Sequence, residues 1–197
     1  MNRTWLGCLL LGSLALAGCT IQTKHEEGSD HEKNVKIETP LGGMNVRTDN
    51  VEAKDTGMSV FPGAKLKERD EDGHNDKKAN VNIDTPWFGL KVVALSYESS
   101  ESQEKIWEYY KKELSKYGRV LECKPGSSDM DLTAKDDEEL TCRESKKGHA
   151  KYSSDSGHME LKVGTANKQR IVALKPSGSG TEFSLVYVHT REKKETL

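Results

Sequence analysis

The chain has 197 residues, with 30 Lys and Arg against 32 Asp and Glu, for a formal net charge of −2. That balance excludes a basic nonspecific nucleic-acid binder and an acidic tail. Apolar residues make up 34% and charged residues 31%. The expectation is one domain with a modest core and much polar surface.

Asn2 and Arg3 open the chain, and residues 5–18, WLGCLLLGSLALAG, are apolar or small. A bilayer span needs about 20 apolar residues. The run is short for that and fits a secretory signal core. It ends in Leu16-Ala17-Gly18-Cys19. This box resembles the lipobox of bacterial lipoproteins. The resemblance implies cleavage before Cys19, diacylglycerol on its sulfur and an acyl chain on its amine. Several acyl chains hold a protein stably on a membrane where one is marginal. Thr20 follows the cysteine, and the enterobacterial sorting pattern then implies the outer membrane, facing the periplasm. Membrane lipid through acylated Cys19 is thus the first expected partner, and an envelope protein is the candidate second. Cleavage removes Arg3 and makes the remaining chain one charge more negative. Residues 19–34 contain almost nothing apolar and read as the lipidated cysteine plus a flexible tether. His25 and His31 lie in it and read as solvated spacer.

A single domain is expected over residues 35–190, with a polar tail at 191–197. It opens with an internal repeat. Residues 35–46, VKIETPLGGMNV, and 81–92, VNIDTPWFGLKV, align at a constant offset of 46. In each copy Val and Ile alternate with polar residues, as in a strand. Thr-Pro ends the ladder because proline has no N–H to donate, and a glycine permits the return. Each copy therefore predicts a β-hairpin. Between them, Val60–Ala64 reads as a strand end and turn. Asp70–Asp76 is acidic enough to test as a calcium loop. Counting from Asp70, position 12 is Val81 where an EF-hand needs a bidentate Glu, so the pattern fails.

Residues 90–123 read as strand, capped helix, strand. Ser100 is the expected N-cap, with Gln103 completing a capping box. Ile106, Tyr110, Leu114 and Tyr117 form one apolar stripe beside Trp107, and Gly118 stops the helix. The stripe must be covered, with Leu90–Tyr97 and Arg119–Cys123 as the nearest cover. The expected fold is α+β: a mostly antiparallel sheet with one main amphipathic helix packed on it. Phe61-Pro62-Gly63-Ala64, then Tyr109-Tyr110-Lys111-Lys112-Glu113-Leu114 and Gly118, also resemble small secreted bacterial domains of unknown function over about residues 58–190. That resemblance implies a fold and no activity.

Cys8 leaves with the signal and Cys19 takes lipid. Cys123 and Cys142 remain as a pair in an oxidising compartment, flanking a loop-like stretch, and a structural disulfide is expected. A metal site or redox dithiol lacks support, with no CxxC and no His at ligand spacing. Met159–Val163, Arg170–Leu174 and Glu182–Val188 read as strands. Ile171 and Ala173, and Phe183, Leu185 and Tyr187, alternate as a half-buried face would.

Chemistry is harder to find. The histidines at 25, 31, 74, 149 and 158 lie in polar loop-like sequence, and His189 follows the last strand. None neighbours a nucleophile elbow or zinc motif. No catalytic residue, cofactor or metal is assigned. The favoured reading is a noncatalytic, membrane-anchored binding or structural module with Trp87 and Phe88 at a hairpin tip, and Trp107, as contact candidates; core packing is the competing reading for all three and is preferred for Trp107. The alternative is a hydrolase or lipid-handling enzyme with a dispersed site. Exposure of Trp87 and Phe88 favours the first, and a deep pocket holding His149 or His158 with an acid favours the second.

Overall fold

The structure is a computed structural model, and it describes residues 20–24, 34–67, 78–123, 140, 142 and 157–192. The strands are β1 (Thr20–Lys24), β2 (Asn34–Thr39), β3 (Gly42–Arg47), β4 (Lys65–Leu66), β5 (Lys78–Asp84), β6 (Phe88–Ser99), β7 (Leu121–Cys123), β8 (Met159–Thr165), β9 (Lys168–Ser177) and β10 (Gly180–Glu192). One helix, α1 (Gln103–Ser115), follows β6, and a 3-10 turn spans Ala53–Thr56. The strands form a 10-stranded antiparallel sheet in the order β1-β2-β3-β5-β6-β10-β9-β8-β7, with β4 beside the end of β6. The class is the expected α+β.

The two long strands β6 and β10 form the spine, paired from Thr181 opposite Ser99 to Glu192 opposite Phe88. One face of this half is the core. Val93, Leu95 and Tyr97 of β6 join Phe183 and Leu185 of β10, Val172 and Leu174 of β9, and Leu161 and Val163 of β8. Ile106, Tyr110 and Leu114 of α1 close over them, each at 0% exposure. The segment between the repeat copies adds Val51, Met58 and Phe61. It is tied to the helix where Tyr110 Oη accepts from Phe61 N (3.0 Å) and donates to Ser59 O (3.2 Å).

The other half of the sheet is polarised the opposite way. Val35, Val46, Val81, Val92 and Val188 stand opposite one another in successive strands, forming a row across β2, β3, β5, β6 and β10. Beside it runs Ile37, Met44, Ile83 and Leu90. Because side chains alternate across a strand, the helix-side face of β2, β3 and β5 instead carries Lys36, Glu38, Asn45, Arg47, Asn82 and Asp84. β2, β3 and β5 are thus apolar on the second face, whereas β6, β10 and β9 are apolar on both, with Val188 and Ile171 buried on the second. The apolar side changes over from β6 onward, and none of these second-face residues joins the core around α1.

Several expectations need correction. Thr20–Lys24, placed in the tether, is an edge strand paired with β2. The N-cap is Ser102, whose hydroxyl accepts from Lys105 N at 3.4 Å, and not Ser100. Gln103 completes no box; its amide donates to the carbonyl of Gly157 at 2.7 Å and so ties the helix start to the sheet. The helix packs chiefly against β8 and β9, and its link to β7 is the Lys111–Glu122 ion pair at 2.6 Å. Phe61–Ala64 is a turn with Gly63 at φ +81°, and the strand follows it at Lys65. Ile171 and Ala173 do not share a face with Phe183. The register sets Leu174 and Val172 opposite Phe183 and Leu185, so Ile171 and Ala173 lie on the other side. The last strands run farther than expected, up to two-residue turns, and His189 lies within β10. Arg191 and Glu192, placed in the polar tail at 191–197, are the last residues of β10 and pair with Gly89 and Phe88. Asp70–Asp76 and residues 193–197 fall outside the described residues.

Candidate functional site

Both repeat copies fold into the same turn. In the first, Thr39 and Gly42 pair around Pro40-Leu41; in the second, Thr85 and Phe88 pair around Pro86-Trp87. The threonines close the turns. Thr39 Oγ1 donates to Gly42 O at 2.8 Å, and Thr85 Oγ1 donates to Phe88 O at 2.9 Å. Proline ends the ladder, and each threonine hydroxyl also accepts a backbone N–H across the turn, from Leu41 (3.3 Å) in the first and Phe88 (2.9 Å) in the second.

β3 and β5 are neighbours, with Gly43 opposite Asp84, so the two tips lie side by side. Contact is close at Gly42, which has φ +133°; a Cβ there would sit 2.4 Å from the Asp84 carbonyl oxygen and 2.9 Å from Thr85 Cα. A glycine is required by both the backbone region and the space. The base of the second tip is braced by Arg191, whose guanidinium reaches Asp84 at 2.5 Å beside Gly89. On β2, Lys36 pairs with Glu38 at 2.7 Å. Each of these pairs is internally neutral.

The tips present apolar surface. Among the described residues the exposed large hydrophobics are Leu41 (63%), Trp87 (55%) and Leu66 (39%). Leu41 and Trp87 occupy equivalent positions of the repeat. Of the expected contact pair, Trp87 stands out at the tip, while Phe88 is half-buried at the start of β6. The reason is that Phe88 is already in the ladder and Trp87 is still in the loop. Leu41 was missed as a contact residue, although aligning the two copies places it on Trp87. Trp107 packs half-buried against the core, as expected.

The remaining candidates are distributed elsewhere. Cys19 and His149 lie outside the described residues. Cys123 and Cys142 are joined, with Cα atoms 5.5 Å apart, and tie edge strand β7 to the chain 19 residues on. On the chain-entropy model such a closure stabilises by roughly 3 kcal/mol. His158 is half-buried just before β8. Among the described residues no group of three His, Cys, Asp or Glu could hold a metal ion. A shallow open depression of about 310 Å³ lies at the opposite end of the sheet from the tips, lined by Lys65, Glu98, Ser99, Ser177, Ser179 and Thr181 among others. Thr181 is buried there and its hydroxyl donates to Glu101 O at 2.9 Å, while the Ser99 hydroxyl accepts from Glu101 N at 3.2 Å. An alcohol without a base in reach is a weak nucleophile, and His158 does not line the depression.

The perturbed titrating groups are architectural. Burial pushes the Tyr110 hydroxyl far up, inside the core. Burial also pushes the Glu182 carboxyl up, but hydrogen bonds from Lys67 (2.6 Å) and Lys175 (3.2 Å) outweigh it and leave the group below the usual carboxylate range. Neither sits in a cleft. What the site offers chemically is two adjacent apolar tips on neighbouring hairpins, beside the Asp84–Arg191 and Lys36–Glu38 ion pairs.

Searches against protein families, curated proteins and solved structures find no match to this chain. No helix among the described residues is long and apolar enough to cross a membrane.

Proposed function

We propose that this chain is a bacterial lipoprotein, acylated on Cys19, that acts in the cell envelope as a noncatalytic binding or structural module. Its place is the outer membrane, facing the periplasm. The observation that carries the reading is the Leu16-Ala17-Gly18-Cys19 box set directly before the first strand of the folded domain. The exposed Trp87 supports a contact role at the hairpin tips. In this reading α1 is an amphipathic cover for one half of the sheet, and an envelope protein is the candidate macromolecular partner.

The test is Cys19→Ala, expressed in a host with lipoprotein processing. The variant is expected to leave the membrane fraction, or to stay unprocessed, and to lack the mass of the acyl groups. A processed variant that stays on the membrane would sink the proposal.

A further inference from the structure

The chain enters the sheet at the same end as the two apolar tips. β1 starts at Thr20, which pairs with Glu38, the residue just before Thr39 of the first tip. Cys19 immediately precedes Thr20 in the sequence, so a lipid carried on it is attached at this end of β1. Neighbouring strands are spaced by about 4.8 Å. The order β1-β2-β3-β5-β6 therefore places the tips carrying Leu41 and Trp87 within roughly 20 Å of the start of β1 across the sheet. A lipid anchor at Cys19 has no spacer that would hold this end away from the bilayer.

From this juxtaposition we infer that Leu41 and Trp87 enter the surface of the membrane that holds Cys19, at the boundary between headgroups and acyl chains. The inference rests on the acylation of Cys19 proposed above and names what the tips touch. Trp is well suited to that boundary, since its ring has an apolar body and an N–H that can stay hydrated. Leu41 adds apolar area at the matching position of the other copy. The repeat thereby supplies two contacts beside the covalent one, which orient the sheet end against a membrane that the acyl chains already hold. The adjoining pairs Lys36–Glu38 and Asp84–Arg191 are neutral, so the contact is apolar and does not depend on anionic lipid. The turns are held by their threonine hydrogen bonds and by the close fit of Gly42, so both side chains are presented without a conformational change.

The experiment uses the full acylated protein, purified from membranes and reconstituted into phosphatidylcholine vesicles with nitroxide labels at defined acyl depths. Trp107→Phe leaves Trp87 as the sole tryptophan after cleavage, because Trp5 precedes Cys19. The expected result is Trp87 emission shifted to the blue and quenched most by the shallowest acyl label, equally in neutral and anionic vesicles. If Trp107→Phe fails to fold, the difference between wild type and Trp87→Phe reports the same signal. Acylated protein that floats with the vesicles while Trp87 emits as in water, unquenched, would overturn the inference and leave the anchor standing. A blue shift without quenching that grows with protein density would also overturn it, in favour of contact between copies of the chain. Protein without acyl mass on Cys19 that fails to float removes both the anchor and this inference.

Discussion

Glu182 shows how a single side chain can join distant parts of the chain. It lies on β10 and receives Lys67 from the segment after β4 and Lys175 from β9. Its carboxyl is held below its ordinary value when folded, so the unfolded chain binds protons more readily. The stabilisation is fully present above the unfolded value of about 4.3 and is lost as pH falls through the folded one. Glu182→Gln should therefore lower the urea midpoint at pH 7, with the difference from wild type shrinking as the pH is taken below the unfolded value of about 4.3. An equal difference at both pH values would assign the effect to packing. Nothing in the sequence marked this residue, because its partners lie 115 and seven positions away and meet it only once three strands are in register. The tip residues divide in the same way. Trp87 was legible because tryptophan after Thr-Pro stands out in a hairpin turn. Leu41 was overlooked because a lone leucine is ordinary on a surface.

The helix was the most legible element, since its stripe is local. Ile106, Tyr110 and Leu114 are buried as their spacing requires. Leu114→Ala should cost about 2–5 kcal/mol through the cavity it leaves. Lys112→Ala, on an exposed position, should stay within about 0.5 kcal/mol. Chemical denaturation of the two variants separates them, and equal small shifts would show that α1 is not packed. The helix start was misread by two residues for a physical reason. Ser99, Ser100 and Ser102 are all competent caps, but β6 stays paired to β10 as far as Ser99 opposite Thr181. The chain must leave that ladder before it can turn into a helix, and Ser99 instead spends its hydroxyl accepting from Glu101 N at 3.2 Å. The hairpins were legible as elements because proline, threonine and glycine act within a few residues.

The assembled sheet was legible as antiparallel but not in its order. Two sequence-adjacent hairpins, β2–β3 and β5–β6, do stand side by side. The 30 residues between β3 and β5 do not simply link them; part of this stretch crosses to the other half and supplies Val51, Met58 and Phe61 to the core. Such placement depends on contacts between residues far apart in the chain, which no local pattern encodes. The same holds for the exchange of apolar faces at β6. The alternation in each strand was visible, but which face meets the helix depends on register.

That exchange divides the sheet into parts of unequal resistance to opening. Amides of β9 and of the middle of β10 sit under α1, and releasing them to solvent requires breaking the core. Amides of β2 and β3 are held by the ladder and by a half-buried apolar row. Opening free energies span from near zero up to the global value according to how much packing each unit must break. Native-state hydrogen exchange should therefore show β2 and β3 exchanging as one cooperative unit, well before Val172, Leu174 and Leu185. Equal protection across the ten strands would mean that the sheet opens only as a whole. With the ranking expected here, the end that carries Leu41 can come apart and re-form while the β6–β10–β9 half stays closed.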